Sequence, residues 1–295
     1  MRQGKDALLA SAISGSILAG IFLPQAGMVV GPYLLVWLGA LLFLNLLKLS
    51  PKDLAGTFSR PGPLAALAVV KLVALPLAMY AIAYFLYRPF ALPVLLLSGI
   101  STGLGAPFVV SIVGGRLPLI VGMITVTSLA VPFVLPSLVH ALVGSEFDLP
   151  LADMVVLLLL ALFIPLGAGW LTKKYAPSTS RFADENSFVL SLVFVVLINM
   201  GMFATLSEYF FTEQLFVLQT LAASSLAYAA FAVAGYACSP FGERTAGLIS
   251  MTYVNNTLVM VFAAQFFGPQ VAALAAIYNL PYYAGILLLK KIIGR

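Results

Sequence analysis

The chain has 295 residues, 62% of them hydrophobic and 8% charged, with a mean hydropathy of +1.09 and a formal net charge of +5. A soluble domain carries about 25% charged residues to cover its surface, so a water-soluble globule is excluded, and so is disorder, which needs polarity this chain lacks. The 15 basic residues are scattered in ones and twos, which excludes a nucleic-acid stripe; the one cysteine, Cys238, and the one histidine, His140, exclude an internal disulfide and the zinc motifs that need two.

What remains is a polytopic protein of the bacterial inner-membrane type. At roughly 20 residues per span, the apolar runs predict ten transmembrane helices: 7–23, 32–50, 63–87, 91–113, 117–142, 150–173, 187–206, 214–238, 244–266 and 269–291. The first follows Arg2 and Lys5 as a signal peptide would. However, Ala12, Ser16 and Gly20 recur every fourth residue, as do Ser11, Gly15 and Ala19, and that spacing suits close helix packing in lipid. It is therefore read as a span.

Charge segregation orients the ten spans. With the N-terminus in the cytoplasm, the inner segments hold Arg2, Lys5, Lys48, Lys52, Arg60, Arg116, Lys173, Lys174, Arg181, Arg244, Lys290, Lys291 and Arg295. Of the 15 basic residues only Arg88 falls outside, and Lys71 lies within a span. The acids fit the same frame, with Asp6, Asp53, Asp184, Glu185 and Glu243 inside and Glu146, Asp148, Asp153, Glu208 and Glu213 outside. Both termini are expected in the cytoplasm.

The longest inner loop, 174–186, suggests two halves of five spans, so that 1–173 holds the first half plus the sixth span and 187–295 the remainder. Because five is odd, the second half enters from the opposite face, the inverted-repeat plan of many secondary transporters. The fourth span reads Gly99-Ile-Ser-Thr-Gly-Leu-Gly-Ala-Pro107 and the ninth Ser250-Met-Thr-Tyr-Val-Asn-Asn-Thr257, each interrupting an apolar run near mid-membrane. Interrupted helices are tolerated in lipid only where protein or a water-filled cavity surrounds them. Pro132 in the fifth span and Pro281 in the tenth extend the correspondence. A pair of packing kinks is the plainer reading; the matched positions favour a functional one.

Lys71, about eight residues into the third span, is the one charge at depth. A lysine there costs roughly 2.5–3.5 kcal/mol on insertion scales and marks an ion or substrate pathway, unless it snorkels to the interface. No carboxylate lies at its depth, which leaves carbonyls, hydroxyls, amides, water or an anionic substrate as partners. Ser101, Thr102, Pro107, Thr252 and the Asn255-Asn256-Thr257 run are candidate crossing residues, since two adjacent amides are expensive to bury without partners. Ser98, Ser111, Thr125, Thr127, Ser128, Asn199, Ser224, Ser225, Ser250 and Asn279 are the other polar groups at depth. With no acid or histidine at depth, no Gly-x-Ser-x-Gly and no Gly-Lys-Ser/Thr, neither an intramembrane hydrolase nor an ATP engine is expected. No enzyme activity and no cofactor are predicted.

The interrupted spans and several strings make the chain resemble bacterial members of the bile acid:sodium symporter family: Ser128-Leu-Ala-Val-Pro-Phe-Val-Leu-Pro136, Glu243-Arg-Thr, Asn255-Asn-Thr-Leu and Gln265-Phe-Phe-Gly-Pro269. Auxin-efflux and arsenite-efflux carriers share the plan, but the fourth-span cysteine of the arsenite carriers has no counterpart here. The resemblance implies a panel domain of spans 1, 2, 6 and 7, a core of spans 3–5 and 8–10, and substrate bound in the cleft between them near the crossing of broken helices 4 and 9.

The departures bear on sodium. Where the family has a third-span glutamine five residues before a proline, Lys71 stands five before Pro76. The fourth-span Ser-Asn pair is replaced by Ala106-Pro107, and of the ninth-span glutamate, glutamine and asparagine only Asn255 survives, beside Ser250 and Val254. An ammonium offers no lone pair to sodium and repels it. The expectation is therefore a secondary transporter of a small organic anion, independent of sodium, with Lys71 substituting for the cation. Proton coupling follows if Lys71 releases its proton, and uniport or exchange if it does not. The alternatives are a sodium symporter with relocated ligands among Thr125, Ser128, Ser250, Thr252 and Asn256, and a non-transporting membrane receptor or scaffold.

Overall fold

The computed structural model describes residues 2–47, 61–144 and 150–293. Lys48, Lys52, Arg60 and Arg295, with Asp53, Glu146 and Asp148, which entered the charge argument, lie outside the described residues. Among the described residues the regular structure is helical. In chain order it runs α1 (Arg2–Phe22), α2 (Pro24–Val30), α3 (Leu34–Leu47), α4 (Pro61–Val69), α5 (Leu75–Leu86), α6 (Ala91–Gly99), α7 (Ala106–Val113), α8 (Leu117–Val143) and α9 (Leu151–Tyr175). There follow α10 (Pro177–Glu185), α11 (Ser187–Thr205), α12 (Ser207–Thr212), α13 (Gln214–Ala237), α14 (Arg244–Thr252), α15 (Asn256–Phe267), α16 (Pro269–Ile277) and α17 (Asn279–Ile292).

Among the described residues, 7 helices are long and apolar enough to cross a membrane: Pro24–Leu44, Pro61–Leu86, Leu117–Val143, Leu151–Tyr175, Ser187–Thr205, Gln214–Ala237 and Pro269–Ile292. The chain is thus an all-α polytopic membrane protein. Three of the ten expected spans are not among these seven. The apolar part of the first is Ser11–Phe22, and the fourth and ninth are each divided, into α6 with α7 and α14 with α15. The second span starts at Pro24 rather than at 32, because Pro24 occupies the first turn of α2, where its missing N–H costs nothing. The interval 174–186, expected as a loop, contains α10. Pro132 and Pro136 leave α8 continuous, whereas the tenth apolar run breaks at Tyr278, between α16 and α17.

Two compact units make up the chain, residues 1–49 with 159–218 and residues 50–158 with 219–295. In the first unit, α11 is packed by α1, α2 and α3. Glycine makes this close: a Cβ at Gly20 would lie 2.9 Å from the Met200 carbonyl oxygen and 2.8 Å from Phe203 Cβ, and one at Gly27 would run into the same carbonyl. Asn199 donates to Ser16 Oγ at 3.2 Å, and Ser207 Oγ donates to the Ile21 carbonyl at 2.6 Å. Trp37 stacks on Phe194 with ring centroids 6.1 Å apart. Only one of the two small-residue stripes of α1 serves this packing, since Ser16 and Gly20 are buried while Ser11 and Gly15 are exposed.

In the second unit, α4 and α5 form one continuous rod joined by a π-helical turn, Val70–Ala74. Pro76 explains the turn: its ring clashes with the carbonyl four residues back and it has no N–H to give, and a wider turn relieves both. Such single π turns recur at functional sites. Here the turn carries Lys71.

Candidate functional site

The two broken helices of the second unit meet at their breaks. After α6 the chain is extended at Ile100, with φ −72° and ψ 159°, and α7 starts at Ala106 with Pro107 in its first turn. After α14 it leaves the helix at Tyr253 and re-enters through Asn255, with φ −74° and ψ 70°. That conformation is an inverse γ-turn, closed by Asn256 N–H donating to the Val254 carbonyl at 2.8 Å. The breaks pair as an antiparallel bridge between Thr102 and Val254. Gly103 N–H donates to the Tyr253 carbonyl at 2.7 Å and Asn255 N–H to the Ser101 carbonyl at 2.9 Å. Backbone groups that a helix break would orphan in lipid are thereby satisfied by the other break. Gly103 permits the approach, for a Cβ there would meet the Val254 carbonyl carbon at 2.7 Å.

Side chains secure the bridge. Thr102 N–H donates to Thr127 Oγ1 at 3.0 Å, and Thr102 Oγ1 donates to the Ser250 carbonyl at 2.9 Å. Asn255 caps α15, its Oδ1 accepting from Leu258 N–H at 3.4 Å. Asn256 Nδ2 donates to the Ala275 carbonyl at 2.6 Å and to Asn279 Oδ1 at 2.9 Å, which ties α15 to the break at Tyr278. Two buried oxygens at this junction, Ser101 Oγ and Asn256 Oδ1, have no hydrogen-bond partner among the described residues.

Lys71 does not snorkel to a surface. It is 0% exposed, its Nζ donates to the Ser98 carbonyl at 2.8 Å and stands 5.5 Å from the centroid of the Phe231 ring. Ser98 lies in the last turn of α6, whose final carbonyls lack intrahelical partners and form the negative end of the helix dipole. Pro76 follows the π turn and lies near Gly99, where a Cβ would stand 3.5 Å from Pro76 Cγ and 2.9 Å from Leu135 Cδ1. The bare Gly99 thus leaves room for Leu135 of α8 against the end of α6, with Pro76 of the rod at ordinary contact distance.

The structure thus brings Ser101, Thr102, Asn255 and Asn256 to one junction and sets Lys71 beneath the first half-helix of it. Pro107 and Thr257 lie in the first turns of α7 and α15 and are partly buried. Thr252 ends α14, its hydroxyl bonded to the Leu248 carbonyl of its own helix. Thr125 and Ser250 likewise donate to carbonyls within their own helices, Val121 and Gly247, and Ser128 is half-buried. Thr127, rather than Thr125 or Ser128, reaches the bridge. Its signal was periodicity, since Ile120, Ile124, Thr127 and Val131 line the buried face of α8.

A cluster of tyrosines abuts the second break. Tyr228 and Tyr253 share a hydroxyl–hydroxyl bond of 3.0 Å, and Tyr278 OH donates to the Thr252 carbonyl at 2.8 Å. The Tyr253 and Tyr282 rings meet edge to face with centroids 4.7 Å apart. Tyr228 and Tyr253 carried no signal in sequence, because a lone membrane tyrosine is most often interfacial.

No curated protein matches the chain. The family model described as Sodium Bile acid symporter family matches residues 35–213, which covers the first break and stops before α13. That match spans more than half of the 295 residues, and the chain therefore belongs to the sodium bile acid symporter family, whose members are membrane transporters and not enzymes.

Proposed function

We propose that this transporter moves a small organic anion by alternating access without sodium, with the Lys71 ammonium standing where the family binds its cation. The observation that carries the reading is the Lys71 Nζ bond to the Ser98 carbonyl at the C-terminal end of α6. In transporters with broken helices, half-helix C-termini and unwound carbonyls are the groups that coordinate sodium. An ammonium already there consumes that acceptor. It also repels a second cation by about 4 kcal/mol at roughly 4 Å and an effective dielectric constant of about 20. No carboxylate contacts Lys71 among the described residues, so its charge is met by dipoles, a ring face and the substrate anion.

The wider architecture follows the same reading. The chain is a ten-span protein of the bacterial inner membrane, both termini cytoplasmic, built as two inverted five-span halves with their fourth members broken. The division into 1–49 with 159–218 and 50–158 with 219–295 supports a panel of spans 1, 2, 6 and 7 and a core of spans 3–5 and 8–10. Pairing of the two breaks through Thr102 and Val254 supports their equivalence.

Flux of organic acids into proteoliposomes, with sodium, potassium and pH gradients imposed separately, tests the proposal. Wild type should transport equally in sodium and potassium, and Lys71→Gln should lose flux by at least tenfold while remaining monodisperse. Lys71→Arg keeps a charge that is not released, so exchange without pH-driven accumulation in that variant assigns proton coupling to Lys71. Strong sodium dependence of the wild type, or full activity of Lys71→Gln, sinks the proposal. Absence of flux for every acid tried, with binding retained, favours the receptor.

A further inference from the structure

The charges at the start of α14 do not balance. Glu243, the residue before the helix, is 6% exposed and its carboxylate takes the guanidinium of Arg116, from the turn after α7. Arg244, the first residue of α14, stands at the positive end of that helix, where a cation is disfavoured. It has no ion pair among the described residues, and its Nε is buried with no hydrogen-bond partner. Its guanidinium carbon lies 5.1 Å from the centroid of the Tyr236 ring and 4.8 Å from that of Phe241, within cation–π range of both.

A guanidinium set between aromatic rings, with no ion pair among the described residues, is suited to receive an anion, since its planar fork matches phosphate or carboxylate geometry. Its setting favours one source of anion. Phe241 is 89% exposed, in a turn that Gly242 makes possible by adopting φ +90°. In a membrane-spanning chain, an exposed phenyl ring directly beyond a helix end belongs at the boundary of headgroups and acyl chains. Glu243 pairs with Arg116, and the three residues Arg116, Glu243 and Arg244 carry one net positive charge. We infer that Arg244, in contact with the Tyr236 and Phe241 rings, binds the phosphate of an anionic phospholipid while Phe241 enters the acyl boundary beside it.

The inference is independent of the transport reading. Its test is thermal melting of the purified full-length protein in detergent, titrated with phosphatidylglycerol, phosphatidylcholine or inorganic phosphate. Phosphatidylglycerol should raise the melting temperature, and the other two should not. Arg244→Gln should weaken the apparent phosphatidylglycerol affinity about tenfold, the scale of one charge-assisted contact, with Arg244→Lys intermediate. Phe241→Ser, at an exposed position where misfolding is not expected, should weaken it also and carries the test if Arg244→Gln aggregates. Lys290→Gln with Lys291→Gln, which removes two charges from another helix end, should leave the affinity within about twofold. An equal response to inorganic phosphate would mean a free-anion site. Equal loss in the lysine variant would mean diffuse electrostatics, and an unchanged Arg244→Gln would place the lipid elsewhere. Each of the three overturns the assignment.

Discussion

Replacing Gly103 with alanine should separate the two helix breaks. A Cβ at this position would lie 2.7 Å from the Val254 carbonyl carbon, 3.0 Å from the Tyr253 oxygen and closer still to the Val254 oxygen. These are backbone atoms, so no flexible side chain can yield. The chains must part, and the bonds at risk are Gly103 N–H to Tyr253 at 2.7 Å and Asn255 N–H to Ser101 at 2.9 Å. Each buried group left unsatisfied costs about 1–3 kcal/mol, and two lost bonds therefore remove about 2–6 kcal/mol. Against a total stability of about 5–15 kcal/mol, the loss is large. Gly15 is the matched control: it lies inside α1 with nothing within 4 Å of a Cβ, so alanine there should be neutral or stabilise by about 0.5–1 kcal/mol. Melting in detergent, with size-exclusion chromatography to verify monodispersity, reads both variants. If Gly103→Ala melts with or above the wild type while Gly15→Ala behaves as stated, the bridge does not hold the junction together.

Two further outcomes follow from the geometry. Thr127→Val removes the acceptor of Thr102 N–H at nearly constant volume and should cost about 1–3 kcal/mol; Thr125→Val, whose hydroxyl serves only its own helix, should change melting by no more than about 0.5 kcal/mol. For topology, in a Cys238→Ser background, cysteines at Gln25 and Arg88 should label from outside and one at Ser178 only from inside; all three positions are exposed, whereas Gly27 is unsuitable because a Cβ there runs into the Met200 carbonyl.

Much of the junction was legible because helix breaks in lipid leave a compositional trace. Gly99, Gly103 and Gly105 with Pro107, and Asn255 with Asn256, stood out against apolar runs. The partners of those residues left none. Lys71 is met by the Ser98 carbonyl, and every residue carries a carbonyl, so no side-chain pattern could point to that one. The π turn at Val70–Ala74 depends on how Pro76 is accommodated, and a proline in an apolar run is equally compatible with a simple kink. The start of the second span was missed, since Pro24 opens α2 ahead of the expected residue 32. The break at Tyr278 lies beside Asn279 and Pro281, both of which stood out in the tenth apolar run.

A tethered cation changes what the protein can do with an ion gradient. A diffusible sodium ion binds on one side and leaves on the other, and its gradient thereby drives the substrate. The ammonium of Lys71 is bonded to its helix and cannot leave, so under the proposed reading it contributes affinity for an anion and no driving force. If Lys71 occupies the cation position, concentrative transport needs the proton to depart in its place, and without that the protein equilibrates or exchanges anions. The surroundings bear on which holds. A charged Lys71 is stabilised by the α6 terminus and the Phe231 ring, and any movement that draws Ser98 away leaves a buried ammonium with only a ring face. Under proton coupling, an anion arriving at that moment would pair with the ammonium, and the proton would leave when the anion does. Substrate and proton would then load together and unload together, and a pH gradient, acid on the side from which substrate enters, should accumulate substrate in proteoliposomes. Accumulation of equal size with the gradient collapsed by a protonophore would leave Lys71 as a fixed charge and the protein as an exchanger.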